Sequence, residues 1–191
     1  FVSDRAASPP EISDAFSETL ALLPFCFYPF NTKQLIGPAT PPSQFGLPTD
    51  PAAFVFANFN RNLKIKPDIF QVWCELVRST PGSVLWLRRF HRQVQHNLQI
   101  EAVARGVSNS SVVFAGRLPN RSEHLARHRL AHLFLDTPRF GGHSTLADVL
   151  WAGVPAMVLP GEGLASRIGA SMMLALRAPL FVARTMQDYA E

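Results

Sequence analysis

Residues Leu133 to Glu162 read LFLDTPRFGGHSTLADVLWAGVPAMVLPGE. The chemistry on offer there is the binding of an anion. Gly141 and Gly142 permit positive φ angles or a close approach of a ligand to the backbone. Ser144 and Thr145 open a helix-like segment. Free N–H groups and the dipole at a helix start favour negative charge, and the two hydroxyls add donors. Asp148 follows on the same helix face as both. A carboxylate beside a phosphate repels it, so Asp148 suits a sugar hydroxyl a few ångströms away, as the acidic residue of a dinucleotide site does. The plainer alternative is that Ser144 only caps the helix and Asp148 favours its N-terminus.

Two further groups could act on the same ligand. Lys64, in Asn-Arg-Asn-Leu-Lys-Ile-Lys-Pro, stands just beyond an apolar run and can meet a phosphate as a point charge; otherwise it is an ordinary exposed lysine. His124 and Arg127 share one face of a helix-like segment that follows Pro119, Asn120 and Arg121. An imidazole and a guanidinium can flank a planar base, or they are simply solvated charges. Other chemistries lack their signatures. There is no GxGxxG after the first strand, no GxxxxGK[ST], no GxSxG and no His/Cys/Asp cluster at metal spacing.

These residues need elements to position them. Apolar runs that suit buried strands are Phe54–Ala57, Val84–Leu87, Val112–Phe114, Leu133–Leu135, Ala156–Leu159 and Leu180–Val182. Between them lie helix-like segments over Pro67–Ser79, Val94–Gly106, Arg121–Ala131, Ser144–Ala152 and Leu164–Leu176. The alternation predicts an α/β, Rossmann-like parallel sheet with helices on both faces, and strands apolar at every position fit burial on both sides. In such sheets ligands sit beyond the carboxyl ends of the strands, where all the candidate residues fall. Upstream, Ser8-Pro9-Pro10-Glu11 reads as a capping box opening a helix to Leu22. Residues 36–52 hold five prolines and two glycines, the composition of an extended linker.

Composition narrows the partners. Hydrophobic residues make up 47% of the 191, enough for a sizeable core, and charged residues only 17%. A net charge of +4 suits a phosphate-bearing ligand but not a nucleic acid, and no apolar run reaches the length of a membrane span. Cys26 and Cys74 sit in apolar surroundings and are expected to be reduced thiols, in a cytoplasmic setting. The chain starts at Phe1 in mid-pattern and is expected to be a piece of a longer protein.

Taken in order, ANFNRNLKIKP, VLWLRRF, AGRLPNRSEHLARHRLAHLFLDTP, GGHSTLADVLWAGVP and PGEGLASRIGAS resemble the C-terminal catalytic lobe of the nucleocytoplasmic protein O-GlcNAc transferases. FVSDRAASPPEISDAFSETLALLP resembles the segment that ends the first lobe of that family. The resemblance implies a glycosyltransferase-B fold, divided here into the end of the N-terminal lobe (1–35), a linker (36–52) and the nucleotide-sugar lobe (53–191). It implies inverting transfer of N-acetylglucosamine from its uridine diphosphate sugar (UDP-GlcNAc) to Ser and Thr of proteins, without metal or other cofactor. Tetratricopeptide repeats and the upstream lobe would present the protein acceptor. Without them, this chain is expected to bind donor weakly and not turn over.

By the same resemblance Lys64 stabilises the leaving diphosphate. His143, Ser144 and Thr145 form the pyrophosphate loop, and Asp148 meets the ribose. Pro119, Asn120 and Arg121 line the uracil edge, with His124 and Arg127 packed on the uridine. Arg61 stands where animal enzymes carry a donor-touching glutamine, and Arg121 where they carry a lysine. The large insertion between lobes of animal enzymes is replaced by the short linker, as in a bacterial or other short form. Protein O-fucosyltransferases that use GDP-fucose share the fold, and a non-catalytic nucleotide-binding scaffold is a further alternative. The fucosyltransferases have a run of threonines where this chain has Gly-His-Ser-Thr, so His143 favours N-acetylglucosamine.

Overall fold

Strand residues 55–58 and 84–87 are buried without exception, which only a sheet covered on both faces allows. The computed structural model describes all 191 residues. Five parallel strands form the main sheet: β3 (Val55–Asn58), β4 (Val84–Arg88), β5 (Val112–Ala115), β6 (Leu133–Leu135) and β7 (Ala156–Met157). Their order is β5-β4-β3-β6-β7. A smaller parallel pair, β1 (Val2–Asp4) and β2 (Ala21–Leu23), precedes them.

Alternate strand residues face opposite ways, and each face carries its own apolar cluster. Phe56, Leu85, Leu87 and Leu135 pack with α1 (Pro67–Ser79), α2 (Arg92–Ala104) and α6 (Met186–Ala190). Val55, Ala57, Trp86 and Phe134 pack with α4 (Ser144–Trp151) and α5 (Leu164–Ala175). The remaining helix, α3 (Arg121–His128), leads from β5 to β6. No helix is long and apolar enough to cross a membrane. Cys74 is buried in the first cluster, where burial pushes its thiol up to about 11; Cys26 is half-buried and unpaired.

Two expectations are corrected. The helix from Ser8 to Leu22 is only a 3-10 turn over Pro10–Ala15, with no side-chain cap and no buried residue. A segment with no face to bury gains too little to hold a helix. Ser8 is instead buried, its hydroxyl 2.7 Å from that of Ser3. Second, Leu180–Val182 is not a strand. Pro179–Phe181 forms a 3-10 turn with Leu180 91% exposed, and Val182 makes a single bridge to Val158. The proline-rich segment 36–52 runs along the lobe, with Leu47 buried in the core and Phe45 on Trp86 at 5.5 Å.

The N-terminal pair is pinned by Asp4. Its buried carboxylate accepts from the amides of Ala6, Ala7 and Phe27, each at 2.9 Å, and from the Ser171 hydroxyl on α5 at 2.6 Å. The larger of the two apolar clusters lies under α4 and α5. Phe134, with no exposed surface at the centre of the sheet, tests its contribution. Phe134→Ala is expected to lower unfolding stability by about 3–5 kcal/mol, read from the urea midpoint at unchanged slope.

Candidate functional site

Between β3 and β6 the strand order reverses, and the loops leaving both strands meet over the gap. Buried polar side chains join them. Asn58 donates from Nδ2 to the Leu135 carbonyl at 2.6 Å, and its Oδ1 accepts from the Asn60 amide at 3.0 Å. Asn60 donates from Nδ2 to Asp136 Oδ1 at 2.8 Å and to Thr137 Oγ1 at 2.9 Å. Asp136 Oδ1 also accepts from the Gly142 amide at 2.7 Å. Behind it, the Tyr189 hydroxyl donates to the Asp136 carbonyl at 2.9 Å. Burial pushes the Asp136 carboxyl up to about 6, opposed by the donors from Gly142, Asn60 and Thr137 and by the charge of Lys64.

This lock explains the paired glycines differently from the sequence reading. Neither Gly141 nor Gly142 has a positive φ. A Cβ on Gly141 would lie 2.8 Å from Asp136 Oδ2, and one on Gly142 2.9 Å from Asn60 Oδ1. The group that approaches their backbone is the protein's own carboxylate and amide.

The loop so formed holds Lys64. A 3-10 turn over Asn62–Lys64 sends its Nζ to the Gly141 carbonyl at 2.6 Å, 4.1 Å from the centre of the Phe140 ring. Burial lowers the Lys64 pKa; Asp136 opposes that, and Arg61 adds to it. Arg61 and Lys64 line one recess of about 330 Å³ with Phe140 and Arg139. Phe140 stacks on His143 at 5.1 Å, and the His143 Nε2 lies 3.0 Å from the Ala165 carbonyl.

Helix α4 starts immediately after. Its N-cap is His143, with no side-chain cap, so Ser144 is the first helical residue and not the cap. The first backbone bond of the helix runs from the Ala147 amide to the His143 carbonyl at 2.9 Å. The amides of Ser144, Thr145 and Leu146 therefore precede the ladder and remain for an anion. Ser144 is exposed and Thr145 half-buried.

Beside this helix start opens a crevice of about 580 Å³. Arg88, Arg89, Arg117, Arg121 and Arg127 line it, and no carboxylate does. Pro119, His124 and Thr145 complete the wall among the expected residues. Asn120 does not line it: it caps α3, its Oδ1 accepting from the Ser122 amide at 3.0 Å. Asp148 lies beneath, buried. Arg121 forks onto it, with Nη1 2.7 Å from Oδ2 and Nη2 on Oδ1, and the His124 Nε2 is 3.7 Å away. Burial would raise the Asp148 pKa, but His124 and Arg121 hold it below the usual carboxylate range. Arg127 is buried with no acidic partner. It donates to the Gly116 carbonyl at 2.6 Å and lies over Phe59 at 5.0 Å. Burial, then the charge of Arg88, pushes it down to about 10.

Several site residues escaped the sequence reading: Asn58, Asn60, Asp136, Arg88, Arg89 and the buried His128. The available signal was position. A polar residue at the carboxyl end of a doubly buried strand, such as Asn58 or Asp136, has a reason to be there.

Strand order 5-4-3-6-7 with a basic crevice beyond the carboxyl ends of the strands defines a Rossmann-like lobe of the glycosyltransferase-B kind. A mutant of the O-GlcNAc transferase of Thermobaculum terrenum superposes on 99% of this chain with a TM-score of 0.83 at 26% identity, the chain covering 35% of that structure. The C-terminal domain of a glycosyl transferase group 1 family protein from Francisella tularensis shares the fold, with a TM-score of 0.51 at 10% identity over 85% of this chain and 93% of that one. The chain belongs to glycosyl transferase family 41, whose description matches residues 32–191. It is 39% identical over 180 residues to the probable UDP-N-acetylglucosamine–peptide N-acetylglucosaminyltransferase SEC of Arabidopsis thaliana. It is 41% identical over 147 residues to the UDP-N-acetylglucosamine–peptide N-acetylglucosaminyltransferase of Caenorhabditis elegans. The two alignments take in 91% and 77% of this chain but only 18% and 12% of those proteins. The family resemblance read from the motifs is thus confirmed.

The Asp136 lock has a pH signature. Its folded pKa of about 6 stands above the ordinary carboxylate value of about 3.9, so the folded chain keeps a proton that the unfolded chain has released. The natural protein therefore loses stability as pH rises from about 4 to about 6, by about 3 kcal/mol from this group. Asp136→Asn keeps an acceptor for Gly142 and removes the titration. Urea unfolding at pH 4 and pH 7 is expected to show the variant gaining about 3 kcal/mol on the natural protein over that interval.

Proposed function

We propose that this chain is the donor-binding lobe of a protein O-N-acetylglucosaminyltransferase. The full protein moves N-acetylglucosamine from UDP-GlcNAc to Ser and Thr hydroxyls of proteins, with inversion and without a metal or other cofactor. One observation carries the reading: the Lys64 ammonium and the open start of α4 converge on a single loop at the strand reversal. The names of the relatives from Arabidopsis and Caenorhabditis support the sugar and the acceptor class.

The chemistry follows from the charges. The acceptor oxygen bonds to the anomeric carbon as the bond to the diphosphate breaks, and the acceptor proton leaves to a base outside this chain. Charge grows on the leaving diphosphate, and catalysis requires groups that meet it there. Lys64 and the amides of Ser144 and Thr145 supply them, with His143 shaping the loop. Arg61 adds positive charge at its edge. The uridine occupies the arginine crevice, its base against Pro119 and Arg121, with His124 and Arg127 packed on it; Asn120 sets that edge as the cap of α3, and Asp148, beneath, turns toward the ribose as Arg121 releases it. Residues 1–35 end the first lobe, 36–52 link, and 53–191 form the donor lobe. The upstream lobe and tetratricopeptide repeats bring the protein acceptor in a cytoplasmic setting.

Lys64→Met in the full-length protein separates chemistry from binding. It is expected to lower kcat by about 10²–10³-fold while weakening UDP binding by about 10-fold or less, since its charge matters most as the diphosphate departs. Unchanged turnover would favour a non-catalytic scaffold. In the same assay UDP is expected to compete with the donor far better than GDP; the reverse order would favour fucosyl transfer from GDP-fucose.

A further inference from the structure

His128 is the one buried polar side chain of the crevice region for which neither ring nitrogen has a partner. It is 1% exposed, below the floor of the crevice, 5.1 Å from the Phe59 ring and 4.9 Å from the His124 ring. A buried imidazole normally bonds through at least one nitrogen, so two orphaned nitrogens are costly. Protonation does not relieve them, because burial, together with the neighbouring His124 and Arg127 charges, keeps the ring neutral. A neutral imidazole keeps one open lone pair, and a metal ion is a partner that such a nitrogen takes.

The other donors of such a site are in place. His124 and His128 are four residues apart on α3, so they project from one helix face, the spacing by which two histidines grip one ion. Asp148 reaches the same point from α4. One donor atom from each of His124, His128 and Asp148 lies within 4.8 Å of the other two. Donors about 2.1 Å from a tetrahedral ion stand about 3.4 Å apart, so closure asks for side-chain movements of about 1 Å. Two nitrogens and one carboxylate suit zinc, which keeps a fourth position open, and not magnesium, which demands oxygens.

Two features decide what the ion would do. Arg121 holds Asp148 through both carboxylate oxygens, and its side chain is 50% exposed. It must swing away before the ion enters, and the nearby Arg127 charge opposes the ion further. Affinity is therefore modest, and the site fills by displacement. His124 and Arg121 also form the crevice wall, so an ion that draws in His124 and expels Arg121 rebuilds it.

We propose that His124, His128 and Asp148 form a zinc site beneath the crevice, and that zinc there and nucleotide in the crevice exclude one another. The second half rests on the nucleotide reading of the crevice. The ion is an inhibitor in this account and takes no part in transfer.

The test uses the full-length protein, stripped with a chelator and dialysed against zinc alone and against zinc with UDP. The natural protein is expected to hold one zinc more per chain than His128→Phe, or to bind that zinc at least about 10-fold more tightly. His128→Gln, a milder change, is expected to behave like His128→Phe and guards against misfolding. Saturating zinc is expected to weaken UDP binding at least about 10-fold in the natural protein and not in either variant. Equal zinc binding by all three proteins would overturn the site. Zinc lost in the variants but without effect on UDP would overturn the exclusion. Failure of UDP to bind even without zinc would overturn the nucleotide reading instead, and the zinc comparison would still stand.

Discussion

A charged carboxylate buried under a loop is the constraint on which this lobe turns. Asp136 lies just beyond the strand that follows the reversal of order, and its Oδ1 is held by Asn60 and by the Gly142 amide. Burying such a group is costly unless donors surround it, and here the donors come from two different strand ends. The bond from Asn60 ties the loop after β3 to the loop after β6. The bond from Gly142 sets where the glycine loop turns. From that turn follow the position of the Gly141 carbonyl, which anchors Lys64, and the entry of the chain into α4. One carboxylate thereby aligns an anchored cation and a helix start.

The charges around this lock are segregated. Above it the crevice carries five arginines and no acid, while the nearest carboxylate, Asp148, is buried and neutralised by Arg121. Such a surface draws an anion and keeps its field unopposed in a partly desolvated space. The two halves of the site also differ in stiffness. The helix start is backed by the fully buried Leu146 and by Val149, whereas Arg88, Arg89 and Arg117 lie exposed and can follow a ligand.

Local rules made much of the fold legible. Pro67 at the first helical position sets the start of α1, and Leu133–Leu135 reads as a strand because it is short, apolar and flanked by turns. The failures share a cause. Ser8-Pro9-Pro10-Glu11 carries a helix start signal, but no residue of the turn that follows is buried, and of Leu180–Val182 only Phe181 and Val182 pack on the core while Leu180 lies exposed. Burial is a property of the whole chain, and a window cannot see it. In the site, Lys64 and Thr145 stood out because each lies in or beside a strand-end loop, and Arg127 because it shares a helix face with His124. Asn60 and Asp136 did not, since their contact spans 76 residues. His124 and His128 stand four residues apart in the sequence, but their meeting with Asp148 escaped because that third donor comes from another helix. Even the glycine pair, correctly marked as special, had a reason visible only once Asp136 was in place.

The central claim is that the start of α4 and Lys64 together receive a diphosphate. A structure of the full-length protein with UDP measures this directly. The account predicts phosphate oxygens about 3 Å from the amides of Ser144 and Thr145 and from the Lys64 Nζ, with the uracil in the arginine crevice. A diphosphate bound elsewhere, with these amides and Lys64 untouched, would contradict it.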